Sequence, residues 1–317
     1  MADAQITTAM IETFNSNVMH MSQQMESRLM PFVRKESQGG EAEFFEQIKK
    51  RDSMKRKSGR GEDVEYEETQ HDRRMVTTEH WYDADFVDQA DKLRLLINPE
   101  NEYAVAMANS SGRKLDSIII DALLGTAYTG KKGATSTVLA NANKLAAFDG
   151  TTATGCSMNV KTLRAARLYF KKNEAIKKGE TVVMAITATQ ADALLANTEL
   201  TSSDYNSVKL LVDGEVNTFM GFTFVETELL EENADAVTYE LTTGAVGSGA
   251  GTLAASAGVS CIAFTANRAL LLSYFNMPTT KMDVIPTKFH GVQILHQFDV
   301  GAVRMEEVQV LQIFCKE

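Results

Sequence analysis

Along the first thirty residues the apolar side chains Ile6, Met10, Phe14, Val18, Met21, Met25 and Leu29 recur every three or four positions. That spacing puts them on one stripe of a helix. Pro31 ends it, because a proline cannot continue the hydrogen-bond ladder. The methionines make the stripe an adaptable contact face, suited to its own domain or to an arm laid on a neighbouring chain. A second periodic stretch, "NPENEYAVAMANSSGRKLDSIIIDALLG" (98–125), predicts the best helix of the chain. Asn98 suits the N-cap and Pro99 the first turn, where its missing N–H costs nothing. Tyr103, Met107, Leu115, Ile118, Ile119 and Leu123 mark the buried side, and Gly125 offers a stop. About twenty-six residues at 1.5 Å each give a spine of roughly 39 Å, with Gly112 a candidate bend.

Elsewhere the period shortens. Val76, Thr77, Thr78, Trp81, Tyr82, Phe86 and Val87 favour strands. Residues 50–85 therefore predict a two-stranded excursion with its tip near "SGRGED". Half of it, about fifteen residues at 3.3 Å each, reaches roughly 50 Å. An isolated hairpin is marginal in water, so such an arm needs something to lie on. From 156 onward helix and strand alternate. "NVKTLRAARLYFKKNEA" is amphipathic through Leu163, Ala166 and Phe170, and "TVVMAIT" fits a buried strand. "TATQADALLAN" opens a helix, with Thr187 and Gln190 spaced for a capping box. Within "SDYNSVKLLVDGEVNTFMGFTFVET" (203–227), two strand-like runs, Val208–Leu211 and Phe222–Val225, flank the turn signal Asp213–Gly214. "TTGAVGSGAGTLAASAG" (242–258) reads as a mobile surface loop, and "GVQILHQFDVGAVRMEEVQVLQIF" as two or three strands.

Composition narrows the classes. The chain has 317 residues, 44% hydrophobic and 23% charged, which suits a globular protein of about two domains. A formal charge of −10 argues against a dedicated nucleic-acid binder, whose surface must attract phosphates. The start lacks the charged and apolar regions of a signal peptide, and no run approaches the ~18 apolar residues of a membrane span. Three widely spaced cysteines suggest a reducing compartment without a disulfide framework. Local charge is more telling. "KKRDSMKRKSGR" (49–60) sets seven basic residues against Asp52 alone, and "GEDVEYEE" (61–68) follows with five acids and no base. Charge runs usually form a solvated face; these two also suit registration between adjacent copies.

Catalytic patterns fail on context. "GTAYTGKK" (125–132) matches a phosphate loop until Lys132 stands where a Ser or Thr must hold magnesium. It also follows a helix, whereas a phosphate loop follows a strand and opens a helix. His20, His71, His80, His290 and His296 form no ligand pair or cluster, and no G-x-S-x-G elbow occurs. The reading is therefore not an enzyme, with no catalytic residue, no metal site and no cofactor.

The order of parts resembles the major capsid protein of tailed double-stranded DNA bacteriophages. The resemblance is carried by "DADFVDQADKLRLLINPENEYAVAMANSSGRKLDSIIIDALLGTAYTG" (83–130), by "DYNSVKLLVDGEVNTFMGFTFVET" and by "VGAVRMEEVQV". It implies an α+β, HK97-like capsid fold. Its parts are an N-terminal arm (1–49), an extended loop (50–90), a peripheral domain (91–155 with 284–317, spine helix about 99–124) and an axial domain (156–283). It further implies pentamers and hexamers in an icosahedral shell around double-stranded DNA, bound without sequence specificity and without a membrane. Implied partners are the chain itself, a portal protein, a separate scaffolding protein and a decoration protein. Inter-subunit contacts are expected at Ile6, Met10, Phe14, Val18 and Met25 of the arm. In the loop they are expected at Lys55, Arg56, Lys57, Arg60, Glu62, Asp63, Glu65, Glu67, Arg73 and Arg74. The competing readings are an encapsulin-like nanocompartment shell, a cytosolic α/β enzyme, and a tail or decoration protein.

Overall fold

The computed structural model describes residues 23–51, 54–56, 59–61, 63–64, 66–88, 100–147, 156–177, 179–196, 218–230, 237–240, 250–253 and 258–316. At 100–101, 237–240 and 250–253 only the backbone is described. In chain order the elements are β1 (Arg34–Ser37), β2 (Ala42–Ile48), β3 (His71–Thr77), β4 (Glu79–Val87), α1 (Glu100–Leu124), β5 (Ala127–Thr129), β6 (Thr135–Thr137) and β7 (Lys144–Ala146). Then come α2 (Val160–Lys172), β8 (Val182–Ile186), α3 (Ala188–Leu195), β9 (Thr218–Phe219), β10 (Phe222–Glu226), β11 (Val237–Glu240) and β12 (Ala250–Leu253). The last four are β13 (Val259–Thr265), β14 (Leu270–Ile285), β15 (Gly291–Arg304) and β16 (Val310–Cys315). They form sheets in the orders β1-β14-β15-β4, β7-β16-β13-β8-β10-β9, β11-β12 and β2-β3-β5-β6. The chain divides into two compact units. One comprises Met1–Ser27, Glu79–Leu115 and Asn276–Val300; the other comprises Arg28–Thr78, Asp116–Phe275 and Gly301–Glu317.

The larger unit is organised by the six-stranded sheet. All five residues of β8 are buried, as an uninterrupted apolar run requires when both faces are covered. β8 pairs in parallel with β10 and antiparallel with β13, and β13 pairs antiparallel with β16. β16 also pairs in parallel with β7 and so lies between strands far from it in sequence. α2 buries Leu163, Ala166 and Phe170, and the Phe170 ring meets Phe222 edge-on at 6.5 Å. Its N-terminus is capped by Asn159, whose Oδ1 accepts from the Thr162 N–H at 2.9 Å, and Lys171 and Lys172 complement its C-terminal dipole.

Several local expectations change here. Thr187 precedes α3 without a side-chain cap, so the expected capping box does not form. Gln190 is buried, and its amide serves distant backbone instead. Oε1 accepts from Met158 N–H at 2.7 Å and Nε2 donates to Lys316 O at 3.1 Å. "GTAYTGKK" spans β5 and the turn to β6, a hairpin rather than a phosphate loop. Residues 250–253, read as part of a loop, form β12 against β11. The expected strand 208–211, its turn at 213–214 and the arm helix over 1–22 lie outside the described residues.

The excursion is two-stranded, but its strands sit earlier than expected. β2 pairs antiparallel with β3 from Ala42↔Thr77 to Ile48↔His71. β4 instead pairs along its whole length with β15, from Glu79↔Val300 to Val87↔Val292. The aromatic run near Trp81 thus gains a full-length partner that a free hairpin would not supply.

In the smaller unit Val87 and Ile294 pack on Met107 and Ala104 of α1. The Lys114 ammonium sits 3.9 Å from the Trp81 ring centroid. Gly112 does not interrupt the continuous α1. A Cβ there would stand 3.0 Å from Ser27 N and 3.2 Å from Glu26 C, so glycine permits close backbone approach rather than a bend.

Candidate functional site

The base of the β2–β3 hairpin is locked into the larger unit. Val76 is buried with Ala127, Leu271, Val303 and Met305, and Phe45 packs against them. β3 also pairs with β5 at Arg74↔Thr129 and Met75↔Tyr128. Arg74, 4% exposed, meets Glu307 through both guanidinium nitrogens, Nη1 to Oε1 and Nη2 to Oε2, each at 2.9 Å. The Nη2–Oε2 contact is a charge-assisted hydrogen bond, and the Nη1–Oε1 approach adds ion-pair attraction without a second hydrogen bond. Gln47 Nε2 donates to Met305 O at 3.0 Å, and Glu46 pairs with Arg73 across the strands.

Glu307 links to a second node. Arg304 is 0% exposed, with Nε 3.9 Å from Glu307 Oε1. Its Nη1 donates to Leu123 O and Gly125 O, each at 2.8 Å, and its Nη2 to Thr137 O at 3.2 Å. A buried cation therefore satisfies carbonyls at the C-terminus of α1, where the helix dipole favours positive charge. Gly125, as expected, ends the helix, and its N–H donates to Asp121 O at 2.7 Å.

Beyond Lys49, whose N–H donates to Gln70 O at 3.0 Å, the described hairpin residues have little cover from the chain. Met54 is 99% exposed and Tyr66 91%. Lys55, Arg56, Arg60, Asp63 and Glu67 are exposed beside them. Exposed apolar groups among opposite charge blocks make a surface fit for another protein surface. A cleft of about 480 Å³ opens beside the hairpin base, lined by Arg34, Lys49, Arg268, Asp72 and Glu306 among others. Its charges are mixed in sign, with no nucleophile–base pair.

Of the residues expected to touch neighbours, Met25, Lys55, Arg56, Arg60, Asp63 and Glu67 are exposed. Arg73 is half-buried and paired with Glu46; Arg74 is buried and engaged by Glu307 of its own chain. Ile6, Met10, Phe14, Val18, Lys57, Glu62 and Glu65 lie outside the described residues. Arg304 and Glu307 have little signal in the sequence beyond their spacing of three in "RMEE".

Titratable groups outside the hairpin have structural settings. Burial pushes Tyr169 and Tyr274 up to about 12. Burial would raise Asp299, but hydrogen bonds from His80 and Asn276 outweigh it and hold the carboxyl below its usual range. Burial lowers His296 against the opposing pull of Asp83, and its Nδ1 lies 2.8 Å from Thr280 Oγ1. Among the described residues no group of three or more His, Cys, Asp or Glu side chains could hold a metal ion, and no helix is long and apolar enough to cross a membrane.

A long helix with flanking sheets, a locked hairpin base and an uncovered hairpin end is the architecture of tailed-phage coat proteins, the HK97-type fold. Solved capsids share it. The cyanophage P-SCSP1u capsid has a TM-score of 0.71 at 14% identity, over 98% of this chain and 94% of that one. The Ralstonia phage GP4 capsid has 0.71 at 9%, over 97% and 96%. The cyanophage Pam1 capsid has 0.66 at 14%, over 100% and 99%. The chain belongs to the phage capsid protein family, whose model matches residues 6–317. It is a major capsid protein, a structural component of the virion shell, and the nanocompartment alternative is not favoured. No curated protein matches it.

Proposed function

We propose that this chain tiles itself as pentamers and hexamers into an icosahedral shell enclosing double-stranded DNA, with the hairpin beyond residue 49 lying on an adjacent copy. One observation carries this reading. The hairpin base is held by buried packing and the Arg74–Glu307 pair, while Met54 and Tyr66 at its far end are almost fully exposed. A surface so divided gains its cover from the next copy, through heterologous contacts that close. The N-terminal stripe braces a neighbour in the same way. The six-stranded sheet with α2 and α3 forms the part that faces the symmetry axes. A portal protein, a separate scaffolding protein and a decoration protein complete the partner set, assembly taking place in the host cytoplasm. The net charge of −10 limits adhesion to packaged DNA.

The test reverses charge at Lys55, Arg56 and Lys57 together to glutamate. Particle yield by negative-stain microscopy falls at least several-fold, while the circular dichroism spectrum of the unassembled chain is unchanged. Particles formed at normal yield by the triple variant would remove the hairpin's charge block from the interface.

A further inference from the structure

The helix α2 carries five cations, Lys161, Arg164, Arg167, Lys171 and Lys172, and no acid. Arg167 is engaged within its own chain: Nη1 donates to Gly221 O at 3.3 Å, and the guanidinium lies 5.9 Å from the Phe222 ring centroid. The other four are exposed. With Leu168, 51% exposed, they recur at spacings of three and four. They therefore share one stripe, turned away from the face that buries Leu163, Ala166 and Phe170, with Leu168 in its middle.

Helix stability does not account for this stripe. Lys171 and Lys172 suit the C-terminal dipole, but Lys161 and Arg164 stand near the N-terminus, where the dipole disfavours cations. No carboxylate within α2 stands three or four positions away to pair with them. Glu174, the first acid beyond the helix, is paired with Lys50 at 3.2 Å. A chain of net charge −10 thus presents a self-repelling basic stripe around an exposed leucine. Such a surface fits an acidic partner with an apolar centre.

The chain itself contains a segment of that kind. Residues 61–68, "GEDVEYEE", hold five acids and no base, and Val64 and Tyr66 are 74% and 91% exposed. In an extended chain, alternation sets Glu62, Val64, Tyr66 and Glu68 on one face, two apolar groups flanked by acids. The lengths agree as well. Glu62 to Glu68 spans about 20 Å when extended, and Lys161 to Lys172 about 16 Å of helix, a difference that flexible lysine stems cover. Both surfaces are exposed in their own chain, so the match is not made within it.

We propose that residues 61–68 of one copy dock on the α2 stripe of the adjacent copy, Val64 and Tyr66 against Leu168, with Glu62 and Glu68 on the cations at its two ends. The proposal rests on the reading that the hairpin lies on an adjacent copy, and it names the face on which the hairpin lies. The contact is heterologous: each copy gives an acidic segment to one neighbour and receives one from the other, as a closed ring requires.

Charge reversal tests it in full-length chains, with particle yield counted by negative-stain microscopy. R164E/K171E/K172E lowers the yield at least several-fold and leaves the circular dichroism of the unassembled chain unchanged; E62K/D63K/E68K does the same. Both sets in one chain restore most of the yield. In particles built from isotope-labelled and unlabelled chains together, zero-length carbodiimide coupling joins Lys161, Lys171 or Lys172 to an acid of residues 62–68 in peptide pairs of mixed label. Normal yield from the α2 variant, no restoration by the combined reversal, or couplings confined to other residues or to pairs of one label overturns the proposal. If the α2 variant assembles normally and the Lys55, Arg56 and Lys57 reversal does not, the hairpin lies on another face of its neighbour. If both assemble normally, the underlying reading falls too. Duplex DNA retained by the unassembled chain and released by the α2 variant assigns the stripe to nucleic acid and likewise overturns the proposal.

Discussion

In the six-stranded sheet every residue of β8 and β13 is buried, whereas beyond Ile48 the hairpin leaves Met54, Val64 and Tyr66 to water. The sheet gets its stability from apolar area removed from solvent within one chain, at roughly 25 cal/mol per Å². The hairpin end makes little such gain alone. One region buries its apolar residues within its own chain; the other leaves them exposed, and on the proposed assembly they pack only against a neighbouring copy. Stability and assembly are therefore read in different places, and a substitution should affect one far more than the other.

The largest expected effect is in the sheet. Phe170→Ala removes a fully buried ring from between α2 and β10, at a cost of about 3–5 kcal/mol, measured by urea unfolding of the unassembled chain. A loss under about 1 kcal/mol would erase the contrast. Next comes the anchor of the hairpin base. Glu307→Ala strips Arg74 and Arg304 of their carboxylate at about 2–3 kcal/mol, below the loss for a fully buried pair because Glu307 keeps 24% of its side chain exposed. Hydrogen exchange should then accelerate in β2 and β3 before it does in β8.

A smaller effect is set by pH. His296 has a lowered folded-state pKa, so between that value and about 6.5 the unfolded chain binds a proton that the folded chain refuses. Stability of the unassembled chain therefore falls as pH drops below about 6.5, and His296→Gln flattens that slope. Unchanged pH dependence in the variant would remove His296 from the account. The smallest effect is Tyr66→Ala, within about 0.5 kcal/mol for the isolated chain. Its particle yield should nonetheless fall, and a large loss of monomer stability would show that the hairpin end is covered from within.

Elements whose cause is local were legible in the sequence. α1 follows from its apolar spacing and its glycine stop, β8 from a run with no polar face, and α2 from Leu163, Ala166 and Phe170. What escaped depended on distant residues. Thr187 and Gln190 have capping-box spacing, but a buried Gln190 serves Met158 and Lys316 first. The strand character around Trp81 was plain, yet nothing nearby says that its partner is residues 292–300. The hairpin's charge blocks were visible, while Arg74 looked like one more member of them until Glu307, 233 positions away, claimed it.

The position of β16 between β7 and β13 has a consequence for synthesis. Until residues 310–315 emerge from the ribosome, the sheet is missing an interior strand, and Ile313 and Phe314 are not there to cover it. A nascent chain thus cannot complete its six-stranded sheet until translation has passed that point, and until then the edges of β7 and β13 that β16 pairs with are uncovered.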